Sequence, residues 1–464
     1  MFIGREKELK TLNDLYKTNK FQFVVLYGRR RIGKTELIKK FIKDKEAIYF
    51  VGIESNEKQN LSNLSKSIFD FENKNLISSN FESFQNALEY IFQLSKKKRI
   101  ILAIDEYPYF ARSSKNIPST IQYLIDKYKE ESNLMLILSG SSMSYMEDEV
   151  LAYKSPLYGR RTAQIKLQPF SFFECAKYLT NFNDEEKAII YGMLGGTPHY
   201  LMQIDNNLSL EENIKKIFLN SDSFVFEEPI NLLKQEVREP NIYNAIINAI
   251  ALGASKLIEI SSKIGETTAA TATYIKNLIN LGILIKETPY GDDSSKKAIY
   301  SISDNMFRFW YRFVLPNVSL INLGAIDIVY DSIKNDLSIY MGQIFENICI
   351  QYLYKELIKG NAPINFKSLG RWWGNDKVFK KETEIDIVGT SDSNNALFAE
   401  CKWTNEKVSI DVLNLLIHRS ELFNYKNKYL YIFSKSGFEN ECFLKAKKFN
   451  NIKLITYQEM MMYL

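Results

Sequence analysis

Gly28-Arg29-Arg30-Arg31-Ile32-Gly33-Lys34-Thr35 sets two glycines, a lysine and a hydroxyl at the spacing Gly-x-x-x-x-Gly-Lys-Thr. Glycines let such a loop curl its backbone N–H groups toward phosphate oxygens, and the positive end of a following helix adds to the attraction. Lys34 is then placed to reach the β- and γ-phosphates of ATP, and Thr35 to ligate Mg²⁺. Further along, the apolar run Ile100-Ile101-Leu102-Ala103-Ile104 ends in Asp105-Glu106. Behind a phosphate loop, Asp105 belongs in the Mg²⁺ shell, and Glu106 is placed to orient or activate the attacking water. A third apolar run, Leu134 to Leu138, ends in Ser139-Gly140-Ser141-Ser142, where Ser139 or Ser141 can touch the γ-phosphate or its water.

The elements that must carry these groups are legible around them. Phe21 to Tyr27 is a short aromatic and β-branched run leading into the loop, and Leu37, Ile38, Phe41 and Ile42 recur behind it at helical spacing. Strand, loop and helix in that order are the context in which the motif has its meaning. Arg29, Arg30, Arg31 and Ile32 within the loop, and Glu36 just after it, complete the nucleotide-binding set.

Together with Phe2-Ile3-Gly4-Arg5-Glu6-Lys7-Glu8-Leu9 and Pro156-Leu157-Tyr158-Gly159-Arg160-Arg161, these segments resemble the archaeal-type P-loop ATPases of the AAA+/STAND group. The resemblance spans about the first third of the chain. It implies that Gly4, Arg5 and Glu6 lie near the adenine and that Arg160 or Arg161 acts as an arginine finger, a role for which a planar guanidinium is suited. It also implies a nucleotide-sensing corner at Gly195, Gly196 and Pro198, with His199 beside it.

A different chemistry stands near the C-terminus, in Glu384-Ile385-Asp386-Ile387-Val388 and Leu397-Phe398-Ala399-Glu400-Cys401-Lys402-Trp403. Strand alternation puts Glu384 and Asp386 on one face, and Glu400 and Lys402 on one face, while Ile385, Ile387, Cys401 and Trp403 point into a core. Pairing the strands through the turn Ser391-Asp392-Ser393-Asn394-Asn395 brings Asp386, Glu400 and Lys402 together. Two carboxylates and a lysine can hold Mg²⁺, polarise a phosphodiester and activate water. The pattern resembles the PD-(D/E)xK nuclease core, and Met341-Gly342-Gln343-Ile344-Phe345-Glu346 is similar to its leading helix, which implies Glu346 as a further carboxylate at that metal. An amphipathic helix near Leu413 to Leu422 and a strand Tyr429 to Phe433 complete this region.

Between the two lie Ser171-Phe172-Phe173-Glu174, a capping box, and Gly195-Gly196-Thr197-Pro198, which ends one helix and begins another. From Asn241, three short helical patterns and two strands, Ile283 to Glu287 and Ala298 to Ile302, flank a turn at Gly291-Asp292-Asp293 and read as a winged helix-turn-helix. Its third helix offers Lys276 as its only cation, poor equipment for gripping a duplex, so packing or partner binding stands beside DNA recognition. Tyr300-x-Ile302-x-Asp304 and Phe309-Trp310-Tyr311-Arg312-Phe313 again resemble the ATPase family. The expected architecture is α/β: a P-loop NTPase (AAA+) core over 1–169, a helical lid over 170–230, a winged helix-turn-helix over 231–315 and an α/β nuclease-like domain over 330–464.

Composition narrows the setting. The chain has 464 residues, 45% of them apolar, which is enough for several cores. No apolar stretch approaches the roughly 20 residues of a membrane span, and the N-terminus lacks the apolar core of a signal peptide, so the expectation is a cytoplasmic protein without membrane contact. Cys175, Cys349, Cys401 and Cys442 are too scattered for a zinc site or a disulfide framework. A net charge of +5 is compatible with a polyanion partner without requiring one. Two functions remain in view: an ATPase whose nucleotide state controls a Mg²⁺-dependent nuclease acting on DNA or RNA, and a signalling or defence ATPase switch whose C-terminal region binds nucleic acid or protein without cutting. Either allows a homo-oligomer.

Overall fold

The structure is a computed structural model describing residues 2–73, 80–292, 294, 297–391 and 394–463. Asp293 of the expected wing turn, and Asp392 and Ser393 of the C-terminal turn, lie outside the described residues. The chain forms two compact units: Met1–Pro169 with Thr197–His199, and Phe170–Gly196 with Tyr200–Leu464.

The first unit is built on a parallel sheet of β1 (Gln22–Tyr27), β2 (Ala47–Val51), β3 (Ile100–Asp105), β4 (Leu134–Gly140) and β5 (Ala163–Lys166), in the order β2-β3-β4-β1-β5. Both faces are covered, which is why β1, β3 and β4 read as unbroken apolar runs rather than alternating ones. Phe23 and Val25 enter one buried layer, and Val24 and Leu26 the other. The parallel order leaves the C-terminal ends of β1, β3 and β4 side by side, where ligands bind in open α/β sheets.

In the second unit, three short helices, Pro240–Ala251, Leu257–Ile264 and Thr268–Asn280, precede an antiparallel hairpin of β6 (Leu284–Glu287) and β7 (Ile299–Ile302). A long helix, Ile326–Lys359, then leads to a five-stranded sheet of β8 (Leu369–Asp376), β9 (Lys381–Thr390), β10 (Asn395–Lys402), β11 (Asn427–Ser434) and β12 (Ile452–Thr456), in the order β12-β11-β10-β9-β8. β10, β11 and β12 run parallel, while β8 and β9 are antiparallel additions.

The sequence reading divides this region into three domains, but one core of buried residues runs through it from Phe170 to Met461. Close helix packing is part of the reason: a Cβ on Gly192 would meet Met341 Sδ at 2.8 Å. The segment around Trp310 binds the parts together as well. Trp310 Nε1 donates to Phe226 O at 2.7 Å and Tyr311 OH to Asn244 Oδ1 at 2.6 Å, while Tyr340 on the long helix donates to Gly192 O at 2.6 Å.

Candidate functional sites

The loop between β1 and the helix Lys34–Ile42 is held in shape by its glycines. Gly33 has φ 90°, a conformation open to glycine, and a Cβ on Gly28 would fall 2.7 Å from Leu167 O. Lys34, nearly buried, donates to Gly28 O at 2.9 Å and Arg29 O at 3.0 Å, so its ammonium sits against the loop backbone. Thr35 Oγ1 donates to Asp105 Oδ2 at 2.6 Å. A hydroxyl and a carboxylate so close at the mouth of the loop are hard oxygen donors of the kind Mg²⁺ takes, and the pair fits that ion.

Asp105 is further fixed by Tyr49 OH at 3.0 Å and by the Glu106 N–H at 3.1 Å. Burial and the Asp105 charge push the Tyr49 phenol well above its usual pKa. Glu106 adopts φ 49°, which turns it off the end of β3, and Ser141 Oγ donates to Glu106 Oε1 at 2.5 Å. The neighbouring Ser139 Oγ is buried with no hydrogen-bond partner among the described residues, a donor in want of an acceptor at the end of β4. The two serines thus differ: one holds the acidic side chain, and the other is buried without a partner among the described residues.

The remaining expected nucleotide contacts divide. Arg5, buried and at φ 67°, donates Nη2 to Ile32 O at 3.0 Å, bracing the loop. Gly4, also at positive φ, makes the turn before it. Arg30 donates to Tyr109 OH, Ile32 is fully buried, and the Arg31 carbonyl accepts from the His199 N–H at 3.4 Å. Pro198 lies beside the loop, its Cγ 3.8 Å from where a Gly33 Cβ would be.

Two residues of the expected set make contacts of their own. The Glu36 side chain, at the start of the helix, is 71% exposed and faces Lys39 at 3.8 Å. Arg160 makes a two-pronged ion pair with Asp126 (2.8 and 2.6 Å) and donates to Pro156 O and Tyr158 O, contacts that hold it within its own loop in this chain. The Arg161 guanidinium lies 5.9 Å from the Tyr158 ring.

In the second sheet, Lys402 Nζ lies 2.9 Å from Glu400 Oε2 and 3.9 Å from Asp386 Oδ2. Regular β9–β10 pairing ends at Ala399↔Ile387, and the Asp386 carboxylate then accepts the Cys401 N–H at 2.8 Å in place of a backbone bond. Simple alternation fails at this point. Ile385 packs in one core layer with Val388, whereas Ile387 enters the other with Cys401 and Trp403, since β9 carries a register shift opposite Gly370 and Trp372. Bulges of this kind re-aim side chains, and here the result is a carboxylate turned toward β10.

Arg419, from the helix Ile410–Glu421, donates to Glu400 Oε1 at 2.6 Å, and Arg371 pairs with Glu384. Burial, then Glu400, pushes Asp386 up to about 6, and burial, then Asp386, pushes Glu346 up to about 8. Burial opposes the Lys402 charge, but Glu400 and Asp386 outweigh it and hold the ammonium above its usual range. Among the described residues no three His, Cys, Asp or Glu side chains are grouped to hold a metal. Glu346 therefore does not complete a three-carboxylate set with Asp386 and Glu400. Those two remain as hard oxygen donors, with Lys402 and Arg419 supplying the positive charge beside them.

Sequence reasoning missed Tyr49, Arg371 and Arg419. Tyr49 has a faint signal, as a polar-tipped residue on a strand beside β3. The arginines carry none, because only the folded sheet brings them to the carboxylates.

Sheet order and loop geometry define the first unit as a P-loop ATPase. Residues 2–204 match a family described as an ATPase domain predominantly from Archaea, and residues 310–412 match a family of archaeal and bacterial proteins of unknown function. The chain is 35% identical over 409 residues to the uncharacterized protein MJECL04 of Methanocaldococcus jannaschii, covering 88% of each, and it belongs to that protein's family; its ATPase domain makes it an ATP-binding ATPase. A 46-residue stretch is 50% identical to the uncharacterized ATP-binding protein MJ0423 of the same organism, covering 10% of this chain and 78% of that protein. The Walker-type ATPase PABY2304 of Pyrococcus abyssi is similar in fold, with a TM-score of 0.53 and 21% identity over 67% of this chain and 96% of that one. Among the described residues, no helix is long and apolar enough to cross a membrane.

Proposed function

We propose that this ATPase turns over ATP at the Lys34, Thr35, Asp105 and Glu106 site, and that its nucleotide state controls phosphodiester hydrolysis in DNA or RNA at Asp386, Glu400 and Lys402. The observation that carries the second half is one ammonium within 4 Å of two buried carboxylates at the point where β9 and β10 part. Mg²⁺ held by Asp386 and Glu400 would polarise the ester and lower the pKa of water. Lys402 is positioned to stabilise the charge that develops on phosphate as water adds, the P–O bond breaks and the alcohol leaves with a proton. At the ATP site, Glu106 is placed to orient the attacking water, with Ser141 setting its direction. Arg161 is the candidate to reach a neighbouring subunit in a homo-oligomer, and the three helices with the β6–β7 hairpin are read as a winged helix.

Incubating the full chain with Mg²⁺ or Mn²⁺ and mixed nucleic acids, with and without ATP, tests the hydrolytic reading. Asp386→Ala and Lys402→Ala are both expected to lose cleavage, and only Asp386→Ala to lose metal affinity as well. Cleavage that survives Asp386→Ala ends this reading. A second reading draws on the ion pair between Arg419 and Glu400: with its carboxylate neutralised, the region binds nucleic acid or protein without cutting, and the ATPase is a switch. Strand binding without cleavage under every cation condition selects it.

A further inference from the structure

Tyr49 on β2 and Asp105 on β3 are diagonal neighbours: in the parallel register Tyr49 lies beside Ala103 and Val51 beside Asp105, so the two side chains share a face two residues apart. Only an aromatic or other long side chain spans that diagonal. The Tyr49 ring packs on the buried layer that holds Ala103, Leu37 and Ile38, and its hydroxyl donates to Asp105 Oδ2 at 3.0 Å. The carboxylate is then nearly full. Its two oxygens offer about four lone-pair sites. Oδ2 accepts from Thr35 at 2.6 Å and from Tyr49, and Oδ1 accepts the Glu106 N–H at 3.1 Å. Thr35 has one hydroxyl proton, and giving it to Asp105 leaves the Oγ1 lone pairs for another partner. A phenylalanine would fill the same layer, so packing accounts for an aromatic ring at this position but not for its hydroxyl.

We infer that Tyr49 is a positioning residue for the metal ion of the ATP site: its hydroxyl fixes the Asp105 carboxylate in the orientation that takes the Thr35 proton, so that Thr35 Oγ1 is presented to Mg²⁺ as an oxygen donor. With Oδ2 holding two donors, Asp105 acts on the ion through Thr35 rather than by a bond from Oδ2 itself. Without the phenol, Oδ2 keeps Thr35 alone, and the carboxylate is free to turn about its own axis with only the Glu106 N–H on its other oxygen. Partners that orient a metal's ligands from behind typically contribute about 10- to 100-fold to metal affinity. The inference rests on the reading of Thr35 and Asp105 as the Mg²⁺ site of the ATPase, and it adds to that site a residue from the strand beyond β3.

The test is Tyr49→Phe in the full chain, which removes the hydroxyl and keeps the ring. A fluorescent ATP analogue is titrated onto wild type and variant, first in EDTA and then at rising free Mg²⁺. Mg²⁺ is expected to tighten binding to wild type. In the variant, the Mg²⁺ midpoint is expected to rise roughly 10- to 100-fold, while affinity in EDTA stays within about twofold of wild type, since the loop that holds the phosphates is untouched. Unchanged affinity in EDTA also shows that the variant is folded. Turnover should divide in the same way, with kcat recovering at saturating Mg²⁺. In a Thr35→Ala background the same change is expected to move the midpoint less, because the hydroxyl it positions is gone. A midpoint within about twofold of wild type, an equal loss of affinity with and without Mg²⁺, or an equal shift in the two backgrounds would overturn the inference and leave the Mg²⁺ site standing. Nucleotide binding by wild type that is indifferent to Mg²⁺ overturns the metal reading, and the inference with it.

Discussion

Lys402→Met puts the carboxylate cluster to its sharpest test. The side chains of Glu400 and Asp386 are 3% and 8% exposed, and Lys402 is a cation they share. Removing one partner of a buried ion pair typically costs about 3–5 kcal/mol. Lys402 keeps about a third of its surface in water and Arg419 continues to pair with Glu400, so the cost is discounted to about 2–3 kcal/mol. For a unit of this size that corresponds to a fall of about 4–6 °C in Tm. The sign with pH follows from the raised carboxyls. Asp386 and Glu346 titrate at about 6 and about 8 in the folded chain, above their values when unfolded, so the unfolded chain loses these protons first. The contribution of these two carboxyls to native stability is therefore fullest below the ordinary carboxylate range and declines as pH rises through 6 toward 8. Loss of the ammonium deepens that decline, making the deficit largest at the alkaline end and small where both carboxyls are protonated. Differential scanning calorimetry of variant and wild type across that range measures it. A variant melting within about 1 °C of wild type at the alkaline end would refute the claim that Lys402 compensates buried negative charge.

At the nucleotide site, Lys34→Ala is expected to abolish most ATP binding or turnover, while Glu106→Gln keeps binding and stops hydrolysis; equal ATP turnover by Glu106→Gln and wild type would overturn the role given to Glu106. Ser141→Ala removes a charge-assisted hydrogen bond worth about 1.5–3 kcal/mol, and steady-state kinetics should show a lower kcat with nucleotide affinity little changed. Arg160→Ala is expected to cost about 1–3 kcal/mol of stability through its missing carbonyl bonds and half-exposed ion pair, without the 10³-fold or greater fall in kcat that loss of a finger brings. Arg161→Ala should slow hydrolysis without weakening nucleotide affinity and recover partly when mixed with Lys34→Ala protein; no rescue at any ratio would exclude a finger acting between subunits.

The parts of this molecule legible in its sequence are those whose chemistry is local. A phosphate loop needs Gly28, Gly33, Lys34 and Thr35 at fixed spacing on one turn of chain, and the strand before it and the helix after it announce themselves by periodicity. Asp105 and Glu106 follow from the same logic, since a fully covered parallel strand must be apolar up to its end. β8 is illegible because Leu-Gly-Arg-Trp-Trp-Gly-Asn-Asp contains two glycines and lacks alternation. Alternation correctly pairs Glu400 with Lys402 and buries Ile385, but it does not show that Ile385 and Ile387 enter different core layers, which a register shift against the partner strand decides. Arg371, Arg419 and Tyr49 act through tertiary contacts with no local signature. Glu36 and Arg160 hold positions within motifs that suggest phosphate, and neither the exposure of the one nor the Asp126 pair of the other is legible in the sequence.

The first compact unit is not a continuous piece of chain. Thr197–His199 belongs to it although the residues on either side do not, and Pro198 lies alongside Gly33. Excising the ATPase at the end of its sheet, after Pro169, would therefore remove the short return that closes over the phosphate loop, along with the His199 N–H on the Arg31 carbonyl. A fragment meant to bind nucleotide as the whole chain does has to extend past His199, and inactivity in a shorter one would reflect the missing return rather than any defect in the loop itself.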